Sequence, residues 1–158
     1  RWMGGVPPSI AAAIGLVAAG GAARGLGEWQ AGGGVAFVAS ILLAWCLWLI
    51  ASALVAGGGR FLAPRAIRYT WALRWCAIAA LPTLLLALRL APLPPLFETA
   101  LWGVAHLAMT AAFVVAVREA LAVDTTRALL LSVGALALGI LALLALGWLL
   151  ASPRALSS

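Results

Sequence analysis

One histidine, His106, is the only ionisable side chain well inside an apolar run of this 158-residue chain. It lies about ten residues into the fourth apolar stretch, near mid-depth for a helix rising about 1.5 Å per residue. An ionisable group at that depth is a functional-site hypothesis by default. Thr99, Gly103, His106 and Thr110 follow offsets of 4, 3 and 4 and share one helical face, which is expected to point at protein. Two chemistries fit. An imidazole nitrogen can ligate a haem iron or the magnesium of a chlorophyll-type pigment. Gly103 gives a macrocycle some room, while the bulk of Trp102 removes it, and no second histidine exists for bis-histidine ligation. Alternatively, His106 bonds Thr110 or a neighbouring helix, as interhelical glue worth ~0.6–2 kcal/mol. Glue is the preferred reading, so no cofactor is expected; a pigment or haem, if held, would sit on His106.

Other reactive side chains form no comparable group. Arg118, Glu119, Asp124 and Arg127 gather in the link before the last apolar stretch. Asp124-Thr125-Thr126-Arg127 reads as a helix cap, its oxygens facing free N–H groups. A carboxylate pair for acid–base work is the alternative, but no nucleophile, metal cluster or phosphate loop accompanies it. Cys46 and Cys76 fall inside apolar runs in neither a CxxC nor a zinc-type spacing, and read as small packing residues. No catalytic residue, no metal site and no enzymatic activity are expected. A small transporter or permease is the stronger rival, for which Pro82 and His106 are the hints. Against it, five spans do not divide into two halves, and no acid or arginine lies at mid-depth.

The elements that must position these residues follow from composition. Hydrophobic residues make up 66% of the chain, charged residues 9%, and mean hydropathy is +1.15. Soluble domains carry roughly 25% charged residues, so this chain cannot cover a core in water. In hydrocarbon only helices and closed barrels satisfy the backbone. The continuous Leu- and Ala-rich runs here are about twice the length of a ~10-residue barrel strand. The fold expected is all-α: a polytopic bundle of about five transmembrane helices in one membrane domain, with no soluble domain.

The spans are placed at about 9–23, 34–56, 69–91, 96–117 and 128–151. The first is short against the ~20 residues a bilayer needs. It could be read as a signal peptide, but a retained helix entered through Pro7-Pro8 is preferred. The second is expected to stop at Gly57-Gly58-Gly59-Arg60, and Pro82 to kink the third. Ala128, Ser132, Ala135, Gly139 and Ala142 form a small-residue seam on the fifth, suited to close packing against a partner or another helix. Gly21 and Gly25 make one weaker GxxxG pair.

The net charge of +6 comes from ten arginines and no lysine, set against four acids. The arginines sit at the edges of apolar runs rather than in a nucleic-acid-binding stripe, and nucleic acid is not an expected partner. Arg1, Arg60, Arg65, Arg68, Arg118 and Arg127, with Arg74 just inside its helix, share one face, against Arg24, Arg89 and Arg154 on the other. Because Lys and Arg accumulate in cytoplasmic loops, the amino terminus is expected in the cytoplasm and the carboxyl terminus outside. Arg60, Arg65, Arg68, Tyr69, Trp71, Arg74 and Trp75 are the expected membrane-interface residues, with anionic lipid headgroups as contacts. Trp45 and Trp48 sit mid-span, facing either lipid or a groove between helices. The Ala, Gly, Arg and Leu excess without Lys suggests a GC-rich bacterial genome, hence a bacterial inner membrane.

Two stretches resemble the Yip1-domain membrane proteins. One is Ala53-Leu-Val-Ala-Gly-Gly-Gly-Arg60 through Trp75 to Leu81-Pro82. The other is Val115-Ala-Val-Arg-Glu-Ala120 with Asp124-Thr-Thr-Arg-Ala-Leu129. The resemblance covers about residues 35–145 and implies five spans, a cytoplasmic amino terminus and a non-enzymatic role organising membrane proteins. The long amino-terminal segment of the trafficking members is not seen in this sequence, so a vesicle role is not expected. The function expected is a non-catalytic membrane scaffold or accessory subunit packing against other membrane proteins in a larger complex. The alternatives are the small transporter and a pigment- or haem-binding subunit of a photosynthetic or electron-transfer complex.

Overall fold

The computed structural model describes residues 6–62 and 67–151. Arg1, Arg65 and Arg154 lie outside the described residues. The chain is an all-helical, multi-pass membrane bundle: α1 (Ile10–Leu62), α2 (Tyr69–Cys76) running on into a tighter 3-10 winding (Ala77–Leu90), α3 (Pro95–Leu121) and α4 (Thr125–Ala151). Four segments are long and apolar enough to cross a membrane: Gly33–Phe61, Tyr69–Leu90, Pro95–Leu121 and Thr125–Ala145. They match the last four expected spans. The first apolar segment, Ile10–Leu26, is shorter; at 1.5 Å per residue it covers about 26 Å of a hydrocarbon core about 30 Å thick.

α1 is two helices rather than one rod. Gly33 takes φ 62° and ψ −157°, a conformation essentially closed to residues with a Cβ, and the chain reverses there. The two arms then lie antiparallel. A Cβ built on Gly21 would stand 2.9 Å from the Ile41 Cα, and one on Gly25 would stand 3.1 Å from the Phe37 Cα. The pair ranked weaker in the sequence is therefore the contact that closes this hairpin. Trp29 and Phe37 meet edge to face near the bend, with ring centroids 5.7 Å apart. Ser9 starts the first arm as its N-cap, its hydroxyl accepting the Ala12 N–H at 3.1 Å.

The glycine run at 57–59 does not stop the helix. The second arm continues through it to Leu62, and two of the three glycines serve close packing: a Cβ on Gly58 would come within 2.8 Å of Leu131, and one on Gly59 would strike Leu121. Pro82 does not act as a single kink either. It lacks an N–H and blocks the carbonyl four residues back, and the segment Ala77–Leu90 absorbs this by winding as a 3-10 helix. That run is unusually long for this winding. The Thr83 hydroxyl donates to the Ala80 carbonyl at 2.6 Å within it.

The bundle is held by two apolar clusters. Ala13, Val17 and Ala77 pack with Ala44, Trp45, Trp48 and Ala80, joining both arms of α1 to the 3-10 segment. Val55, Ala72, Cys76, Phe113, Val117, Leu121, Ala128 and Ala135 join the second arm, α2, α3 and α4. Trp45 and Trp48 therefore occupy a groove between helices, and Trp48 Nε1 donates to the Leu73 carbonyl at 2.9 Å. Outward positions are apolar, as lipid requires: Leu107 is 74% and Leu130 67% exposed.

Gly33→Ala should lower stability in detergent by ~1–3 kcal/mol, the cost of a disfavoured backbone region. Gly57→Ala, where no atom lies within 4 Å of the added Cβ, should be neutral or raise it by ~0.4–1 kcal/mol. Thermal unfolding of the two variants checks this; equal effects would remove the special role of Gly33.

Candidate functional site

The flank of α3 around His106 is the place where polar chemistry and open space coincide. Pro95 in the first turn starts α3 at no hydrogen-bonding cost. Glu98 in that turn accepts Arg89 Nε at 2.8 Å and Arg89 Nη2, fastening α3 to the end of the 3-10 segment. Arg89, Glu98, Thr99 and Trp102 line a shallow recess of about 220 Å³. A second, apolar recess of about 360 Å³ at the same end is lined by Leu26, Trp29, Phe37 and Leu90.

His106 lies one turn beyond the first recess. Its ring stacks on Trp102, centroids 4.0 Å apart and planes at 31°. Its Nδ1 is 2.8 Å from the Trp102 carbonyl. A carbonyl only accepts, so Nδ1 carries the hydrogen, and in a neutral ring Nε2 is the acceptor nitrogen. The Thr110 hydroxyl donates to the His106 carbonyl at 2.9 Å, and that of Thr99 to the Pro95 carbonyl at 3.0 Å. Each of these bonds stays within α3. The interhelical glue expected of His106 is corrected accordingly: among the described residues it ties α3 to itself.

The direction of this face is also informative. Val117 follows His106 by 11 residues, close to three full turns, so the two point nearly the same way. Val117 is fully buried. At the level of His106 that side is only partly covered: His106 and Gly103 are half-buried, and Trp102 is 49% exposed. The face expected to point at protein points to the side where protein lies further along α3, but among the described residues nothing lies within 4 Å of a Cβ on Gly103. Further along α4, a Cβ on Gly139 would stand 3.9 Å from Ile50 of the second arm.

The small-residue seam of α4 is consumed internally. Ala128, Ser132, Ala135 and Gly139 are buried within the chain, and Ala142 is exposed. It is a seam between helices of this chain, not a surface free for a partner. The expected interface residues sit at one end of the bundle: Arg60, Arg68, Tyr69 and Trp71 are exposed, Arg74 and Trp75 half-buried. Tyr69 Oη donates to the Leu49 carbonyl at 3.2 Å. Arg74 donates to the carbonyls of Pro7 and Pro8, a tether between α2 and the start of α1 that sequence spacing does not reveal. Asp124 caps α4 as expected, its Oδ1 accepting the Arg127 N–H at 2.8 Å. Cys46 is exposed and Cys76 buried, both as free thiols.

Comparison with known family models, with curated proteins and with solved structures gave no match.

If His106 bonds only within α3, His106→Leu should change thermal stability in detergent by less than about 0.5 kcal/mol, below the ~0.6–2 kcal/mol expected of an interhelical bond. A loss well above that would restore the glue.

Proposed function

We propose that this chain is a non-catalytic scaffold or accessory subunit of a larger membrane complex, and that the partly covered flank of α3 receives a transmembrane helix of another membrane protein. The observation that carries this reading is His106. An ionisable side chain at mid-depth almost always faces protein or a water-filled cavity, and here the ring spends Nδ1 within its own helix while the adjoining Gly103 has open space beside it among the described residues. A partner helix bearing a hydroxyl, amide or indole N–H would satisfy Nε2, and Gly103 would let the two backbones approach closely. The buried α4 seam narrows the docking surface to α3.

The resemblance to Yip1-domain proteins belongs to the same proposal, as do placement in a bacterial inner membrane and a cytoplasmic amino terminus. The arginine excess at the end bearing Arg60, Arg68, Arg118 and Arg127 supports that orientation.

A photo-cross-linking side chain in place of Gly103, irradiated in native membranes, should give one discrete adduct with another protein, and the same group at Leu130 should give lipid adducts only. Lipid adducts alone at Gly103 would contradict the reading. The acceptor Nε2 supports one other possibility, a haem or chlorophyll-type pigment ligated by His106. A visible absorption band in the purified protein that disappears in His106→Leu would establish it; a spectrum with aromatic bands only would end it.

A further inference from the structure

Cations at the two ends of this bundle are compensated differently. At the end bearing the recesses, Arg89 is tied to Glu98. At the opposite end Arg118 pairs with Glu119 at 2.8 Å, and Arg127 with Asp124 at 3.4 Å. Arg60, Arg68 and Arg74 pair with no carboxylate among the described residues. Arg74 is the instructive one. Its Nε and Nη2 donate to the Pro8 and Pro7 carbonyls, which fix the guanidinium in place without neutralising it and leave Nη1 unused by either bond.

Trp71 and Arg74 lie three residues apart on α2, on neighbouring positions, and Arg68 is the extended N-cap residue just before it. The Arg74 guanidinium carbon lies 5.8 Å from the centre of the Trp71 ring, and Trp71 stacks edge to face on Trp75 at 6.3 Å. Tyr69 is anchored beside them on the Leu49 carbonyl. This strip lies at the first turns of a membrane span, the depth at which Trp and Tyr rings meet headgroups.

We infer that the Arg68–Trp71–Arg74 strip, with Arg60 at the end of the preceding helix, is a docking site for the phosphate of an anionic phospholipid. Three uncompensated guanidinium groups complement a net negative headgroup, whereas a zwitterionic one brings no net charge to them. The planar donor fork of Arg suits a phosphate better than a point charge does. The lipid is favoured over soluble phosphate because the strip is continuous with an apolar span that would hold acyl chains. Since Arg74 also grips Pro7 and Pro8, a bound headgroup would be linked to the start of the short first arm. This site is independent of the α3 partner.

The test is thermal unfolding of the purified protein in neutral detergent with graded dioleoyl phosphatidylglycerol or dioleoyl phosphatidylcholine. Phosphatidylglycerol should raise the midpoint saturably and phosphatidylcholine should not. Arg60→Gln with Arg68→Gln should weaken the apparent phosphatidylglycerol affinity roughly 25-fold, at about fivefold per arginine near a charged surface. Arg127→Gln, which removes a cation already paired with Asp124, should weaken it by less than about twofold. An equal response to both lipids, equal stabilisation by inorganic phosphate, or an unchanged response in the double variant would overturn the site.

Discussion

Everything in this bundle depends on how closely the first arm of α1 can lie against the second. Lipid gives helices no hydrophobic reason to associate, so van der Waals fit must hold them together. At Gly21 and Gly25 the fit is backbone against backbone, with no room for a methyl group. The first arm is too short to span comfortably alone, so its place depends on that contact, on the reversal at Gly33 and on the Arg74 tether to Pro7 and Pro8. Gly20 repeats the arrangement on the other side, where a Cβ would strike the Thr83 hydroxyl of the 3-10 segment. The short arm is thus wedged between two longer elements, and the Trp45 and Trp48 rings fill the space below it.

Among the described residues polar groups are broadly sorted by depth, although the Trp45 indole N–H and the Ser132 hydroxyl are buried without a hydrogen-bond partner. At the ends, charges are paired, capped or placed among interfacial aromatic rings. In the interior, Trp48 spends its indole N–H on the Leu73 carbonyl. The flank of α3 breaks the pattern: His106, Trp102 and Gly103 leave a polar, open surface on the side that is packed solid at Val117. A membrane protein that buried its mid-depth polarity everywhere else would be incomplete with that flank facing acyl chains. The partner proposal rests on this contrast.

Much of the architecture was legible in the sequence because the constraint behind it is simple. Backbone in hydrocarbon must be helical, and runs of Leu and Ala bounded by Arg, Pro and Gly mark where each helix crosses. The Asp124 cap was legible for the same local reason. What failed depended on neighbours distant in sequence. Gly57 to Gly59 looked like a stop, but Leu131 and Leu121 give Gly58 and Gly59 a packing role. Pro82 suggested a local kink, while its effect is spread over a whole segment of altered winding. The end of α3 falls at Ala122, a left-handed alanine with φ 51° that no glycine announces. For the site, spacing put Thr99, Gly103, His106 and Thr110 on one face; whether a helix of the same chain covers that face is a question of where α4 goes.

If a partner helix docks as proposed, the flank of α3 is open in the isolated chain and covered in native membranes. A thiol at Gly103, introduced with Cys46 and Cys76 replaced, can be titrated with a membrane-soluble maleimide both in purified proteoliposomes and in native membranes. Labelling should be rapid in the proteoliposomes and strongly suppressed in the native membranes. Equal labelling in the two would contradict that docking.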